Sequence, residues 1–347
     1  NMRNIEFHNR EKEIKEIRAI LDSRPTLITF IYGPINSGKT ELINNLMKNL
    51  PESQKVFYIN LRGRFISNYD EFIKVLFDVE HEARYGRIKE FLKPIVNVLP
   101  ESYHGIPIPK DMFLKLFKEK DVEDAFVYIE TVLRAFCESG HVPVLVIDEL
   151  QVIGDLKVDD LLIYKLFNFF IRLTKELHLC HVFAVTSDSL FIENVYSKAM
   201  LEGRCRYLLV DDFDEATTAA FLEGHGFTDD EKAVAWNCCG GKPICLVELV
   251  NTEEDRKGKA EEMLKIRKGQ IEEIVYSLEA RDKEMFDAVM RMLSEFIGKE
   301  KVGYKYISDE IKFLVGKNII FADSVNKELR AQSKLNLLAV REVMKDV

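Results

Sequence analysis

The 347 residues carry 49 Lys and Arg against 58 Asp and Glu, a formal net charge of −9, with 47% hydrophobic and 31% charged residues. A chain of this length divides into about two domains of about 100–200 residues and buries about 75% of its unfolded surface, so it needs no disulfide or metal staples. The acidic balance argues against a free-standing nucleic-acid binder, and no stretch approaches the ~18 apolar residues of a membrane-spanning helix.

Ile14, Ile17, Ile20 and Leu21 recur at helical spacing with charge opposite, which predicts a first helix ending at the break over residues 22–25. Residues 27–32 are a short apolar, β-branched run, the pattern of a strand buried on both faces. A glycine-rich loop follows at once, and residues 40–50 read as a helix that stops before Pro51. Residues 56–60 form a second buried strand. Residues 66–140 read as mostly helical, with a Pro-rich break over 100–109; they are expected to cover the sheet and to include a helical insertion. Residues 142–148 are a third strand, 159–177 a buried helix, 182–186 a fourth strand, 190–201 a helix and 206–210 a fifth strand. This alternation predicts a parallel sheet with helices on both faces and right-handed crossovers.

From about Asp214 the pattern turns helical, over 214–224, over 229–239, and again from Ile244 after the turn Gly240-Gly241-Lys242-Pro243. Residues 253–270 read as a charged helix or linker. Residues 282–347 hold helices, a turn-rich stretch over 298–306 and a short strand-like pair around 319–321. The expected division is an α/β P-loop domain over 1–212, a helical lid over 213–275 and a C-terminal domain over 276–347.

The loop Gly33-Pro34-Ile35-Asn36-Ser37-Gly38-Lys39-Thr40 has the spacing Gly-x-x-x-x-Gly-Lys-Thr of a phosphate loop, between a strand and a helix. Glycines let main-chain N–H groups turn inward toward phosphate oxygens, and the helix aims its positive end at the same place. Lys39 is placed to reach the β- and γ-phosphates, and the Thr40 hydroxyl to ligate Mg2+; Glu41 is grouped with the nucleotide site as the next residue. At the end of the third strand stand Asp148 and Glu149. Ligand crevices of open α/β sheets lie at that end. Asp148 is expected to hold Mg2+ through water, and Glu149 to orient and deprotonate the attacking water.

Thr186 and Ser187 end the fourth strand, where either could hydrogen-bond that water or merely lead into a helix cap. Arg204, before the fifth strand, is either a transition-state cation acting in cis or in trans, or a solvated surface residue. His178-Leu179-Cys180-His181 has metal-capable side chains but no second ligand cluster, which favours a strand-entry loop. Six cysteines form no Cys-x-x-Cys pair, and no secretory leader is recognised, so reduced thiols and a cytoplasmic location are expected. Met2 reads as the native start and Asn1 as an addition.

Taken together, these residues resemble the archaeal ATPase family in the STAND and AAA+-related branch of P-loop proteins. The matching pieces run in order: Phe7-His8-Asn9-Arg10-Glu11-Lys12-Glu13, the phosphate loop, Val146-Ile147-Asp148-Glu149, Thr186-Ser187, Gly203-Arg204 and Gly240-Gly241-Lys242-Pro243. The resemblance covers about residues 5–250. It implies a five-stranded sheet in the order 5-1-4-3-2, a helical lid and a C-terminal winged-helix domain, which this sequence matches only loosely. It also implies that Arg10 and Pro243 lie near the adenine, and that ATP is bound and slowly hydrolysed to ADP.

Three readings of the whole follow. The first is a regulated ATP switch with Mg2+ and an unidentified protein partner. The second is an origin-recognition-like DNA-binding module; residues 299–345 hold ten Lys and Arg against six Asp and Glu, a mild local excess. The third is a non-catalytic nucleotide-binding scaffold, against which the Asp148-Glu149 pair speaks.

Overall fold

The computed structural model describes residues 8–64, 66–80, 90, 92, 93, 95, 102–153, 157, 158, 160–198 and 201–345. Met2, Phe7 of the opening segment, Pro100 of the Pro-rich break, residue 159 of the helix expected over 159–177 and residues 199–200 of the helix expected over 190–201 lie outside them. In chain order the first part runs α1 (Glu11–Leu21), β1 (Ile28–Tyr32), α2 (Lys39–Lys48), β2 (Gln54–Asn60), α3 (Tyr69–Leu76), β3 (Phe77–Glu80), β4 (Ser102–His104), β5 (Ile106–Pro109), α4 (Lys110–Glu119) and α5 (Val122–Glu138). It continues through β6 (Val142–Asp148), the short pair β7 (Lys157–Val158) and β8 (Asp160–Leu161), α6 (Leu162–Ile171), β9 (His181–Thr186), α7 (Ser189–Lys198) and β10 (Cys205–Leu209).

The main sheet has the order β10-β1-β9-β6-β2-β4, with every pair parallel. All five residues of β1 and all six of β9 are buried, as strands covered on both faces must be. Side chains alternate between two cores. Phe30, Phe57, Ile147 and Ala184 face one, with Phe136 of α5 and Phe167 and Phe170 of α6. Ile31, Val56, Val146 and Val185 face the other, with Ile17 of α1 and Leu42 and Ile43 of α2.

The sheet has six strands rather than the expected five. The sixth, β4, lies at the edge beside β2, within the stretch read as a Pro-rich break. The adjoining β5 pairs with β3 alone, Ile106 opposite Phe77 and Pro109 opposite Glu80. A strand with one neighbour tolerates Pro107 and Pro109, because half its N–H groups need no strand partner.

The second part runs α8 (Glu215–Gly224), α9 (Asp229–Cys239), α10 (Pro243–Asn251), α11 (Arg256–Tyr276), α12 (Lys283–Ser294), β11 (Lys301–Gly303), α13 (Asp309–Gly316), β12 (Ile320–Asp323), β13 (Glu328–Ala331) and α14 (Lys334–Lys345). The segment read as a helix or linker is the 21-residue α11. Its Ala260 packs with Leu222, Cys239, Leu246 and Leu249 in the lid core. Its Ile271 and Val275 pack with Val289, Leu314, Ile320 and Leu329 in the C-terminal core. The turn-rich stretch contributes β11, which pairs antiparallel with β13, itself paired with β12. A single helix, α13, stands between β11 and β12, whereas a helix-turn-helix needs two joined by a short turn. Among the described residues no helix is long and apolar enough to cross a membrane.

Candidate nucleotide site

The loop between β1 and α2 lies at the carboxyl end of the sheet. A Cβ on Gly33, whose φ is +156°, would stand 2.1 Å from the Val210 carbonyl oxygen, so only glycine lets the loop leave β1 this close to the end of β10. Lys39 is 6% exposed. Its ammonium donates to the carbonyls of Gly33 (3.0 Å) and Pro34 (2.7 Å) and to Ser37 Oγ (3.4 Å). Burial, and then the nearby charge of Lys242, push this ammonium down to about 8 from its ordinary 10.5.

Thr40 Oγ1 and Tyr58 OH each donate to Asp148 Oδ2 at 2.8 Å. Tyr58 reaches it from β2, the strand that pairs with β6. A hydroxyl and a buried carboxylate this close fit Mg2+, which takes one or two protein oxygens and completes its shell from phosphates and water. Among the described residues there is no group of three or more His, Cys, Asp or Glu that could hold a metal ion.

Glu149 has a positive φ of 61°, which turns the chain sharply out of β6. Both its oxygens are engaged. Oε1 accepts from Arg62 Nη2 at 2.8 Å. Oε2 accepts from Gln151 Nε2 at 2.5 Å and lies 3.4 Å from Ser187 Oγ. Gln151 also accepts from Thr186 Oγ1 at 2.7 Å. Ser187 therefore faces the carboxylate, while its neighbour Asp188 caps α7 through the N–H groups of Leu190 and Phe191. The helix-cap reading of this strand end thus falls to Asp188.

Arg10 is buried beside the loop. Its Nη2 donates to the Ser37 carbonyl at 2.6 Å, and its guanidinium lies over the Phe213 ring at 4.7 Å. Asn36 and Glu41 are exposed. Pro243 is half-buried at the first position of α10. The preceding turn reaches the loop directly: Lys242 Nζ donates to the Ile35 carbonyl at 2.6 Å and pairs with Asp212 at 3.1 Å. A Cβ on Gly241 would fall 1.8 Å from the Phe213 carbonyl oxygen, so this contact within the lid admits no side chain.

Arg204 is elsewhere. Its carbonyl accepts from the N–H of Ile28, the first residue of β1, while the loop follows the last, Tyr32. Parallel pairing of β10 with β1 thus sets it at the far end of the sheet, about 15 Å away along the strands. The expectation that it reaches the γ-phosphate within one chain is corrected on that register. His178 bonds the Pro25 carbonyl at 2.7 Å, and burial pushes the His181 imidazole down to about 4 and the Cys180 thiol up. All six cysteines are free thiols.

A model of an ATPase domain found predominantly in Archaea matches residues 7–249. The chain belongs to this archaeal ATPase-domain family. Residues 257–344 of the family member match a second model, the C-terminal domain of MJ1010-like uncharacterized ATP-binding proteins. An uncharacterized ATP-binding protein of Pyrococcus abyssi is 46% identical over 338 residues, 97% of this chain and 98% of its own. One of Methanocaldococcus jannaschii is 45% identical over 355 residues, 99% of this chain and 98% of its own. The Walker-type ATPase PABY2304 of Pyrococcus abyssi superposes with a TM-score of 0.65 at 17% identity, covering 98% of both chains. The ORC2 protein of Aeropyrum pernix, solved in ADPNP–ADP complexes, gives 0.50 at 13%, covering 100% of this chain and 97% of its own. At these identities the two structures speak to the fold alone.

Sequence reasoning assigned no role to Tyr58, Arg62, Gln151 or Lys242. Two of them carried a local signal: Gln151, two residues beyond Glu149 in the 3-10 turn Leu150–Ile153, and Lys242, inside the Gly240-Gly241-Lys242-Pro243 turn.

Proposed function

We propose that the chain binds ATP with Mg2+ at the Gly33–Thr40 loop and hydrolyses it slowly, as a regulated switch. The observation that carries this reading is the grouping of Glu149, Gln151, Ser187 and the Thr40–Asp148 pair at one end of the sheet, beside the loop. Lys39 would exchange the loop carbonyls for β- and γ-phosphate oxygens. Thr40 and Asp148 would hold Mg2+, which supplies charge neutralisation on the phosphates. Glu149 would accept the proton of a water that attacks the γ-phosphorus as the bond to ADP breaks, with Ser187 orienting that water. Arg62 and Gln151 each hold one Glu149 oxygen, which would fix the carboxylate in position for the attacking water. Arg10, over Phe213, and Pro243 are offered as the adenine end of the site. A protein partner and a cytoplasmic location belong to the same proposal.

A duplex-reading role has less support. The C-terminal unit has the strands of a winged helix but one helix where the reading pair would stand. Six of the ten basic residues in 299–345, Lys299, Lys301, Lys312, Lys327, Arg330 and Lys345, are ion-paired with carboxylates.

The test is two variants in a phosphate-release assay with a parallel binding titration. Lys39→Ala is expected to abolish binding or turnover. Glu149→Gln is expected to keep binding while turnover falls about 10²- to 10⁴-fold. Parental hydrolysis by both variants would show that the chemistry lies elsewhere.

A further inference from the structure

We propose that the C-terminal unit is a brake on the nucleotide site, and that the main chain of Ile35 is the point it grips. The inference rests on the reading that nucleotide occupies this loop. The Ile35 N–H donates to Gln332 Oε1 at 3.1 Å, and the Ile35 carbonyl accepts from Lys242 at 2.6 Å. One residue of the phosphate loop is thus held by the C-terminal unit on one side and by the lid on the other. Gln332 is no loose surface group: it is 3% exposed, and its Nε2 donates to the Ile320 carbonyl at 3.2 Å.

The grip is part of a wider seat around the root of the loop. Tyr32, the last residue of β1, donates its hydroxyl to Asp323 at 3.2 Å. Arg330 pairs with Asp211, just beyond β10, at 2.5 Å. The Ala322 N–H donates to Ser189 Oγ at 3.2 Å, and Glu193 of α7 receives both Tyr304 and Lys327.

A phosphate loop binds by turning its N–H groups and its lysine onto phosphate oxygens. Here the Ile35 N–H is committed to Gln332, and Lys39 is committed to the loop's own carbonyls. The seated arrangement is therefore the nucleotide-free one, and filling the loop disturbs the peptide that seats the C-terminal unit. By linkage, seating weakens nucleotide binding by the same factor by which nucleotide weakens seating.

The experiment uses the full chain, a non-hydrolysable ATP analogue with Mg2+, and amide hydrogen exchange. In the parent, the analogue is expected to speed exchange over residues 320–331. Gln332→Leu and, independently, Arg330→Ala are expected to show that faster exchange without nucleotide, and to bind the analogue about threefold to tenfold more tightly, the worth of one hydrogen bond or ion pair. If both variants bind no more tightly than the parent, or if the analogue leaves exchange over 320–331 unchanged or slowed, the brake is wrong while the nucleotide reading stands. A parent that takes up no analogue would remove both.

Discussion

Raising the pH from about 7.5 to about 9.5 will weaken nucleotide binding about 25-fold, or about 2 kcal/mol, because Lys39 loses its proton in the free site. The magnitude comes from its surroundings. Burial and the ammonium of Lys242 hold Lys39 at about 8, well below 10.5. Phosphates stabilise the ammonium, so the bound value lies higher and the complex takes up a proton. Affinity is then full below the free-site value and falls as pH rises through it toward the bound one. The second ionisation of a phosphate, near about 6, is complete over this range and contributes little. The assay is equilibrium titration with a fluorescent ATP analogue and Mg2+ at a series of pH values, with Lys39→Arg as comparator. Arginine stays charged throughout, so its profile should be flat whatever its absolute affinity. Lys242→Met should move the parental decline to higher pH, because a neighbouring positive charge is gone. A parental profile that is flat across the range, or one that Lys39→Arg parallels, would refute the reasoning.

Three further outcomes are expected. Gln151→Leu removes a donor to Glu149 and the acceptor for Thr186; turnover should drop by up to about 10²-fold with little change in KM, measured by steady-state phosphate release. Tyr58→Phe leaves Asp148 with one donor fewer, a loss of about 1 kcal/mol that should appear as a changed Mg2+ dependence of turnover at constant nucleotide. Gly241→Ala forces a methyl group onto the Phe213 carbonyl; the cost is about 1–3 kcal/mol or more, read as a lowered melting temperature, and normal stability would mean that the lid turn yields there.

Much of the site was legible because its core consists of contiguous runs. The glycine-rich loop, Asp148-Glu149 and Thr186-Ser187 each declare themselves over a few residues, and alternating buried strands require them to end on the same side of a parallel sheet. The supporting groups were not legible. Tyr58 meets Asp148 only because β2 pairs with β6, and Gln332 comes to Ile35 from 297 residues away. Arg204 misled for another reason: it precedes the fifth strand, which in a parallel sheet is the end opposite the loop, and its hydrogen bond with Ile28 fixes it there. β4, three residues long, is too short for any period to register. Nor did charge alone distinguish a linker from a helix at α11: of its buried residues only Ala260 falls within 253–270, with Ile271 and Val275 just beyond.

That helix has a mechanical consequence. Twenty-one residues at about 1.5 Å each span about 30 Å, anchored at one end among lid side chains and at the other among those of the C-terminal unit. Its length makes it a potential lever arm: a tilt of about 10° at its first turns would carry its last turn about 5 Å.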